Sequence, residues 1–271
     1  MAQVLAVPGE VRHGFPFNCS FNHDFSRITG IAATAKGNIL LCDFDKKNLI
    51  LVASLGSYLN KINVDSEPYD VAITGENVGY ITQPSTRSVL QIDPDRMIIV
   101  LKTSINDLGA TVMCSTALST SPCFLCFNLE GKSYAYPAYN NAINLTDVHS
   151  HQTSFESSVV KFHALDESSF FTCKGGQNYI KYFPKQGPHR IINIATTETV
   201  SDICFDDYKH IYVSGQGSNS IHRLKRGGCV VSDRSQRPTN AQNWKVLGIP
   251  LNSQHEINEA VAVCLNHNHS K

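Results

Sequence analysis

The stretch 29–52, TGIAATAKGNILLCDFDKKNLILV, decides the fold of this chain because it recurs without a gap at 201–224, SDICFDDYKHIYVSGQGSNSIHRL. Both copies place two isoleucines eight residues apart, Ile31 and Ile39 in the first of them. A third copy occupies 68–92. Self-similarity at a period of about 20–50 residues indicates a repeat architecture.

Weaker copies complete the series, with longer spacings where two polar insertions, 140–156 and 227–243, interrupt it. The units begin near residues 28, 68, 110, 159, 200 and 258. Each unit consists of short apolar or alternating runs separated by Gly, Asn, Asp, Pro and Ser, which is typical of strands and turns. Four short strands recurring six times predict an all-β protein, a six-bladed β-propeller forming a single domain over 1–271. The second strand of a unit, such as Ile39-Leu40-Leu41-Cys42, is expected to be buried on both faces.

The sixth unit ends at Lys271, where its second strand should begin. The sequence therefore predicts an incomplete sixth blade, as in a fragment. The segment Val11–Phe25 is the candidate strand for closing the ring. Two missing strands would leave unpaired edges.

Composition excludes several classes of protein. Twenty-three basic and 23 acidic residues balance, which argues against a DNA-binding protein. No apolar run is long enough for a transmembrane helix, and the N-terminus lacks the pattern of a signal peptide. Nine cysteines, an odd number scattered through apolar runs, predict reduced, buried thiols and a cytoplasmic protein.

The repeat units resemble those of a known family. The segments 29–32, 37–43 and 67–72 look like NHL repeats, and more narrowly like the C-terminal propellers of tripartite-motif-type proteins. The resemblance covers about residues 25–265 and is most specific in units one, two and five. It implies an NHL/YWTD-like propeller that acts as a non-catalytic module and recruits a protein, or alternatively an RNA. The chain contains no RING, B-box or coiled-coil segment, so ubiquitin-ligase activity is not expected within it.

The binding residues are expected on the face formed by the loops that enter the first strands and by those that join second to third strands. The candidates are Lys46, Lys47, Tyr69, Asp70, Gln83, Arg87, Lys174, Gln177, Asn178, Asp202 and Asn219. Few of them are basic, so a protein partner is favoured over RNA through phosphate contacts.

The alternative function is a calcium-dependent enzyme similar to lactonases and esterases with six-bladed propellers. Asp70, Asp202 and Glu259 would then lie at the axis, although calcium needs more oxygen ligands than these three. The Cys123–Cys126 pair has C-x-x-C spacing without a second pair, which favours a core strand over zinc. Two alternating histidine pairs, His149 with His151 and His267 with His269, are expected to be solvated. We therefore expect no catalytic residues, no metal and no cofactor.

Overall fold

The computed structural model describes eleven segments of the chain: 4–6, 19–21, 23–105, 110–118, 123–130, 132–138, 153–155, 159–206, 208–226, 244–251 and 260–265. Within them, five four-stranded antiparallel sheets follow one another along the chain. Each sheet is one blade, and its strands run in sequence order from the first strand to the fourth. The expected all-β propeller is confirmed, and most neighbouring strands within a blade are joined by short turns.

A short N-terminal sheet, β1 (Val4–Ala6) with β2 (Cys19–Phe21), precedes the five blades. The strands of blade one are β3 (Ile28–Ala33), β4 (Ile39–Asp43), β5 (Asn48–Val52) and β6 (Tyr58–Asn63). Those of blade two are β7 (Asp70–Ile73), β8 (Gly79–Gln83), β9 (Ser88–Asp93) and β10 (Ile98–Ser104). Those of blade three are β11 (Thr111–Ala117), β12 (Cys123–Leu129), β13 (Lys132–Ala138) and β14 (Thr153–Phe155).

Blade four contains β15 (Val159–Asp166), β16 (Ser169–Lys174), β17 (Tyr179–Phe183) and β18 (Arg190–Asn193). Blade five contains β19 (Val200–Phe205), β20 (Ile211–Gly215), β21 (Ser220–Arg226) and β22 (Trp244–Leu251). The first strands of consecutive blades lie side by side, β3 with β7, β7 with β11, β11 with β15 and β15 with β19. These five first strands therefore line the axis of the propeller.

The repeat in the sequence has a local cause in the turn between first and second strands. In blades one, two and five this turn spans 34–38, 74–78 and 206–210, and its first N–H donates to the carbonyl of its fifth residue. The fourth residue has a positive φ, 81° at Gly37, 60° at Asn77 and 61° at Lys209. Glycine and asparagine adopt this left-handed conformation most readily, so Gly37 and Asn77 suit their turns.

The hydrophobic core lies between blades rather than at one centre. One cluster joins Leu40 and Leu49 of blade one to Ile81 and Leu90 of blade two, and similar clusters join each following pair. The second strand of every blade is buried almost throughout, as expected from its continuous apolar sequence. Burial on both faces holds each blade against its two neighbours.

The expectation of six blades, with an incomplete sixth, is wrong, because the residues described form five. Residues 260–265, where the sixth unit was expected, contain no strand. They are held against blade five by hydrogen bonds to its side chains. The Ser201 hydroxyl donates to the Ala260 carbonyl (2.7 Å), and the Val263 N–H donates to Asp202 (2.9 Å). The apolar run at 260–263 resembles a strand, but a strand also needs a partner for its backbone groups.

The segment Val11–Phe25 does not add a strand to a blade in its described part. Its strand Cys19–Phe21 pairs instead with Val4–Ala6, while residues 11–18 lie outside the described chain. The outer faces of the two end blades are each covered by a different segment. Phe21 and Phe25 pack on blade one, and Val263 and Leu265 pack on blade five.

The cysteines whose side chains are described are all free thiols. Six are buried and one, Cys264, is partly buried. Burial raises the pKa of the Cys42, Cys123 and Cys204 thiols, which keeps these three protonated. Cys123 and Cys126 lie in β12, where Cys126 is opposite Cys114 of β11, so the C-x-x-C spacing belongs to the core as expected.

Candidate functional site

The turns between second and third strands share one end of the propeller with the segments that enter the next blade. The N–H of Val64 donates to the Lys47 carbonyl (2.8 Å), and that of Ile105 donates to the Arg87 carbonyl (2.9 Å). Corresponding bonds link 194–200 to 177–178. We call this end the upper face; it comprises the turns 44–47, 84–87, 175–178 and 216–219 and the connections 64–69 and 194–199.

The predicted binding residues all lie on or just below the upper face, but they differ in exposure. Arg87 and Asn178 are exposed, and Lys174, Gln177 and Asn219 are half-buried. Arg87 and Asn219 have positive φ values of 50° and 47°, so the last residue of each of these two turns is in the left-handed conformation. These side chains form a polar rim around the axis.

Gln83 is fully buried and is not exposed to a partner. Its amide donates to the Ser66 carbonyl (3.0 Å) and to Asp65 (3.2 Å), and its carbonyl accepts a hydrogen bond from the Ser88 hydroxyl. The side chain therefore joins the blade-two turn to the connection that enters the blade. The sequence pattern could not separate this buried role from an exposed one.

The lysines of the first turn are ion-paired. Lys46 lies 2.7 Å from Asp24, and Lys47 lies 3.0 Å from Glu67. Hydrogen bonds from its own backbone N–H and then from Lys47 lower the pKa of Glu67 to about 2. Exposed pairs of this kind contribute little to stability, but they leave this part of the upper face without excess positive charge.

An aromatic and cationic cluster lies beside these lysines. The Arg27 guanidinium lies 4.2 Å above the centre of the Phe44 ring and pairs with Asp45 (2.8 Å). Phe44 in turn meets Tyr69 edge to face, with 6.4 Å between ring centres. Burial raises the pKa of Tyr69 to about 12, so its hydroxyl stays neutral. Arg27 and Phe44 were not among the binding residues predicted from the sequence. The signal available for Phe44 was an aromatic residue in an otherwise polar turn.

The axis beneath the upper face contains a buried ion pair between Lys161 of β15 and Asp70 of β7. The Lys161 ammonium also donates to the Thr29 carbonyl of β3 (2.9 Å), and Asp70 accepts a hydrogen bond from the Ser115 N–H of β11 (3.0 Å). The two charged side chains are only 4% and 8% exposed. Four of the five first strands are thus joined by one charged network.

Burial opposes the charged form of Lys161, but the negative charges of Asp70 and Asp202 outweigh it and raise the pKa of Lys161 above its ordinary value. Asp202 of β19 faces the same axis and accepts hydrogen bonds from the N–H groups of Ile203 (2.8 Å) and Val263 (2.9 Å). Burial raises the pKa of Asp202 to about 6, with Lys161 acting in the opposite direction. The axis therefore holds two carboxylates and one ammonium.

The carboxylate set considered for calcium is only partly placed. Asp70 already binds the Lys161 ammonium, while Glu259 lies outside the described residues, as do both histidine pairs. Over the placed segments, no group of three His, Cys, Asp or Glu residues is close enough to hold a metal ion. The same segments contain no helix long and apolar enough to cross a membrane.

No known family model matches the chain, and no curated protein matches it by sequence. Solved structures do resemble it. The WD40 repeats of RRP9 have a TM-score of 0.59 at 11% identity, over 84% of this chain and 82% of that one. A chain of a nidogen/laminin complex has a TM-score of 0.59 at 12% identity, covering 82% of this chain and 88% of that one.

A streptogramin B lyase structure has a TM-score of 0.55 at 12% identity, over 89% of this chain and 82% of that one. Both a WD40-repeat protein and an enzyme are thus among the similar folds. Because a propeller supports many unrelated functions, likeness at this identity establishes the fold and not the activity. The chain is a β-propeller.

Proposed function

We propose that this chain is a non-catalytic interaction module that binds a protein partner through its upper face. The observation that carries the proposal is the cluster of Arg27, Phe44 and Tyr69, which is partly exposed on the upper face. Tyrosine and arginine are the residues that most often dominate binding energy at protein interfaces. The resemblance of the repeat units to tripartite-motif-type propellers supports the same role, that of recruiting a protein in the cytoplasm.

The charges on the upper face favour a protein over RNA. Lys46, Lys47 and Arg27 each have a carboxylate partner within 3.0 Å. RNA binding depends strongly on unpaired basic side chains that displace counterions from phosphates. The neutralised part of the upper face around Phe44, with its partly exposed rings, suits a polar protein interface better.

The axial ion pair argues against the calcium-dependent enzyme. Calcium would need several converging oxygen ligands, but one oxygen of Asp70 binds Lys161 and the other accepts the Ser115 N–H. A divalent cation beside the Lys161 ammonium would also be repelled by it at close range. The axis therefore serves to hold the blades together, and the exposed rim above it is free for a partner.

The test is capture of partner proteins from a cell extract, followed by mass spectrometry and by titration of the purified partner. We expect Phe44→Ser to weaken binding about tenfold or more, as expected for an interface hot spot. Tyr208→Ser provides the matched control, since Tyr208 is an exposed aromatic residue in the turn 206–210 at the opposite end. Equal effects of the two variants on binding would contradict the proposal. Tight binding of single-stranded RNA oligonucleotides at low salt would show that the partner is an RNA and not a protein.

A further inference from the structure

A groove opens at the lower, outer side of blade two, at the end opposite the upper face. Its volume is about 630 Å3. Val78, Ile92 and Val100 form apolar parts of its lining, and most of the remaining lining is charged. A cavity of this size accommodates a short extended peptide or a small molecule. We call it the blade-two groove.

Val100 borders the groove because β10 carries a β-bulge. Ile99 pairs with Ile92 and Leu101 pairs with Gln91, which leaves Val100 without a residue opposite it. A bulge redirects a side chain, and Val100 is 60% exposed. The register places Leu59 of blade one at the equivalent bulge, also exposed at 47%, yet Leu59 does not line the groove.

The charged lining contains more carboxylates than cations. Three carboxylates, those of Glu76, Asp93 and Asp95, line the groove with two cations, Lys36 and Arg96. The two carboxylate oxygens of Asp95 differ in their partners. Its Oδ2 lies 2.9 Å from the Lys36 ammonium, whereas its Oδ1 is buried without a hydrogen-bond partner among the residues placed. Leaving a buried carboxylate oxygen unpaired costs free energy. A hydrogen-bond donor placed beside Asp95 Oδ1 would therefore be stabilising.

The groove adjoins the outermost strand of blade two. β10 is the edge of its sheet, so its outward backbone groups have no strand beside them in the described chain. Its side chains include an unusually exposed apolar run: Ile98 is 52% exposed, Ile99 39% and Leu101 38%. Edges of this kind accept an added strand, with alternate side chains of the partner giving specificity.

We propose that the blade-two groove binds an extended segment of a partner protein that carries one arginine or lysine among aliphatic residues. The aliphatic residues lie along Ile98–Leu101. The stem of the basic side chain covers Val78 and Val100, and its charged head donates to Asp95 Oδ1. Long basic side chains combine an apolar stem with a cationic end, which is the combination that this lining offers. The groove lies at the other end from the upper face, so it does not depend on the function proposed above.

The test uses a fluorescein-labelled heptapeptide of alternating valine and threonine with a central arginine, and the same peptide with citrulline in its place. Citrulline keeps the shape of arginine without its charge. By fluorescence anisotropy with the full chain, we expect the arginine peptide to bind saturably and about tenfold more tightly than the citrulline peptide, as expected for a charge-assisted hydrogen bond. Equal affinities, or no saturable binding of the arginine peptide, would overturn the proposal without any variant.

Two variants then place the peptide. Asp95→Asn is expected to abolish the preference for arginine, and retention of the tenfold ratio would contradict the assignment of Asp95. Val100→Thr is expected to weaken both peptides by a similar factor, since it removes apolar contact alone. Leu59→Thr, at the equivalent bulge of blade one, is the matched control and should leave both affinities unchanged. An equal loss from Leu59→Thr and Val100→Thr would show that binding is not at the groove.

Discussion

The buried pair of Lys161 and Asp70 offers a quantitative test of how the blades are held together. Lys161→Met keeps most of the apolar stem and removes the ammonium, which leaves Asp70 as a buried charge without its counterion. Removing one partner of a buried ion pair costs about 3–5 kcal/mol. The structure supports the upper part of that range, because the ammonium also satisfies the Thr29 carbonyl and the two side chains are only 4% and 8% exposed.

The measurement is equilibrium unfolding in urea, followed by circular dichroism at neutral pH, together with a thermal scan. A loss of about 3–5 kcal/mol corresponds to a decrease in Tm of roughly 6–20 °C for a domain of this size. The double variant Lys161→Met, Asp70→Asn removes both charges and retains an acceptor for the Ser115 N–H. It should therefore recover more than half of the loss, because the dominant penalty is the uncompensated charge.

The reasoning would be refuted if Lys161→Met stayed within about 1 kcal/mol of the unchanged protein, which is the range of an exposed pair. It would also be refuted if the double variant were less stable than the single one. Exposed Lys47, which pairs with Glu67 on the upper face, supplies the matched control. Lys47→Met should change the free energy of unfolding by less than about 1 kcal/mol.

Three further predictions follow from buried positions. Burial raises the pKa of Asp202 from 3.8 to about 6. The contribution of Asp202 to stability is therefore most favourable below pH 3.8 and is lost as the pH rises through 6. Asp202→Asn should flatten that part of a curve of Tm against pH. Burial lowers the pKa of His222 below 6.5, so the contribution of His222 to stability is present above pH 6.5 and is lost on acidification. His222→Gln should therefore reduce the loss of Tm between pH 7 and 5. An unchanged slope of Tm against pH would contradict this prediction. Gly30→Ala would place a Cβ atom 2.9 Å from the Asp70 backbone, so denaturant unfolding should show a loss of about 1–3 kcal/mol, and a neutral effect would mean that the first strands can separate.

The sequence by itself determined the class of fold, because the relevant signals are local. A turn such as 34–38 needs a residue that tolerates positive φ, and Gly37 supplies it. A strand such as β4 that is buried on both faces must be continuously apolar, and Ile39–Cys42 satisfies this. Such requirements recur in each unit and are visible without knowledge of any distant contact.

The number of blades was not a local property. The apolar run at 260–263 matches a first strand, but whether a segment becomes a strand depends on a partner supplied from elsewhere in the chain. The same limit applied to individual side chains of the expected binding face. Gln83 has the sequence context of an exposed turn residue, and only the packing of the connection 64–69 against it shows that it is buried.

The tertiary structure alone decided what lies at the axis. In the sequence, Lys161 is one residue of a weak repeat unit, and Asp70, 91 positions earlier, lies at the end of a turn. Neither context indicates that the two side chains meet. Closing the strands around the axis removes both from water, and in that low-dielectric setting the opposite charges must pair. The sequence thus determined that this protein is built from blades. The tertiary structure determined that the described residues form five of them, and which charges hold them together.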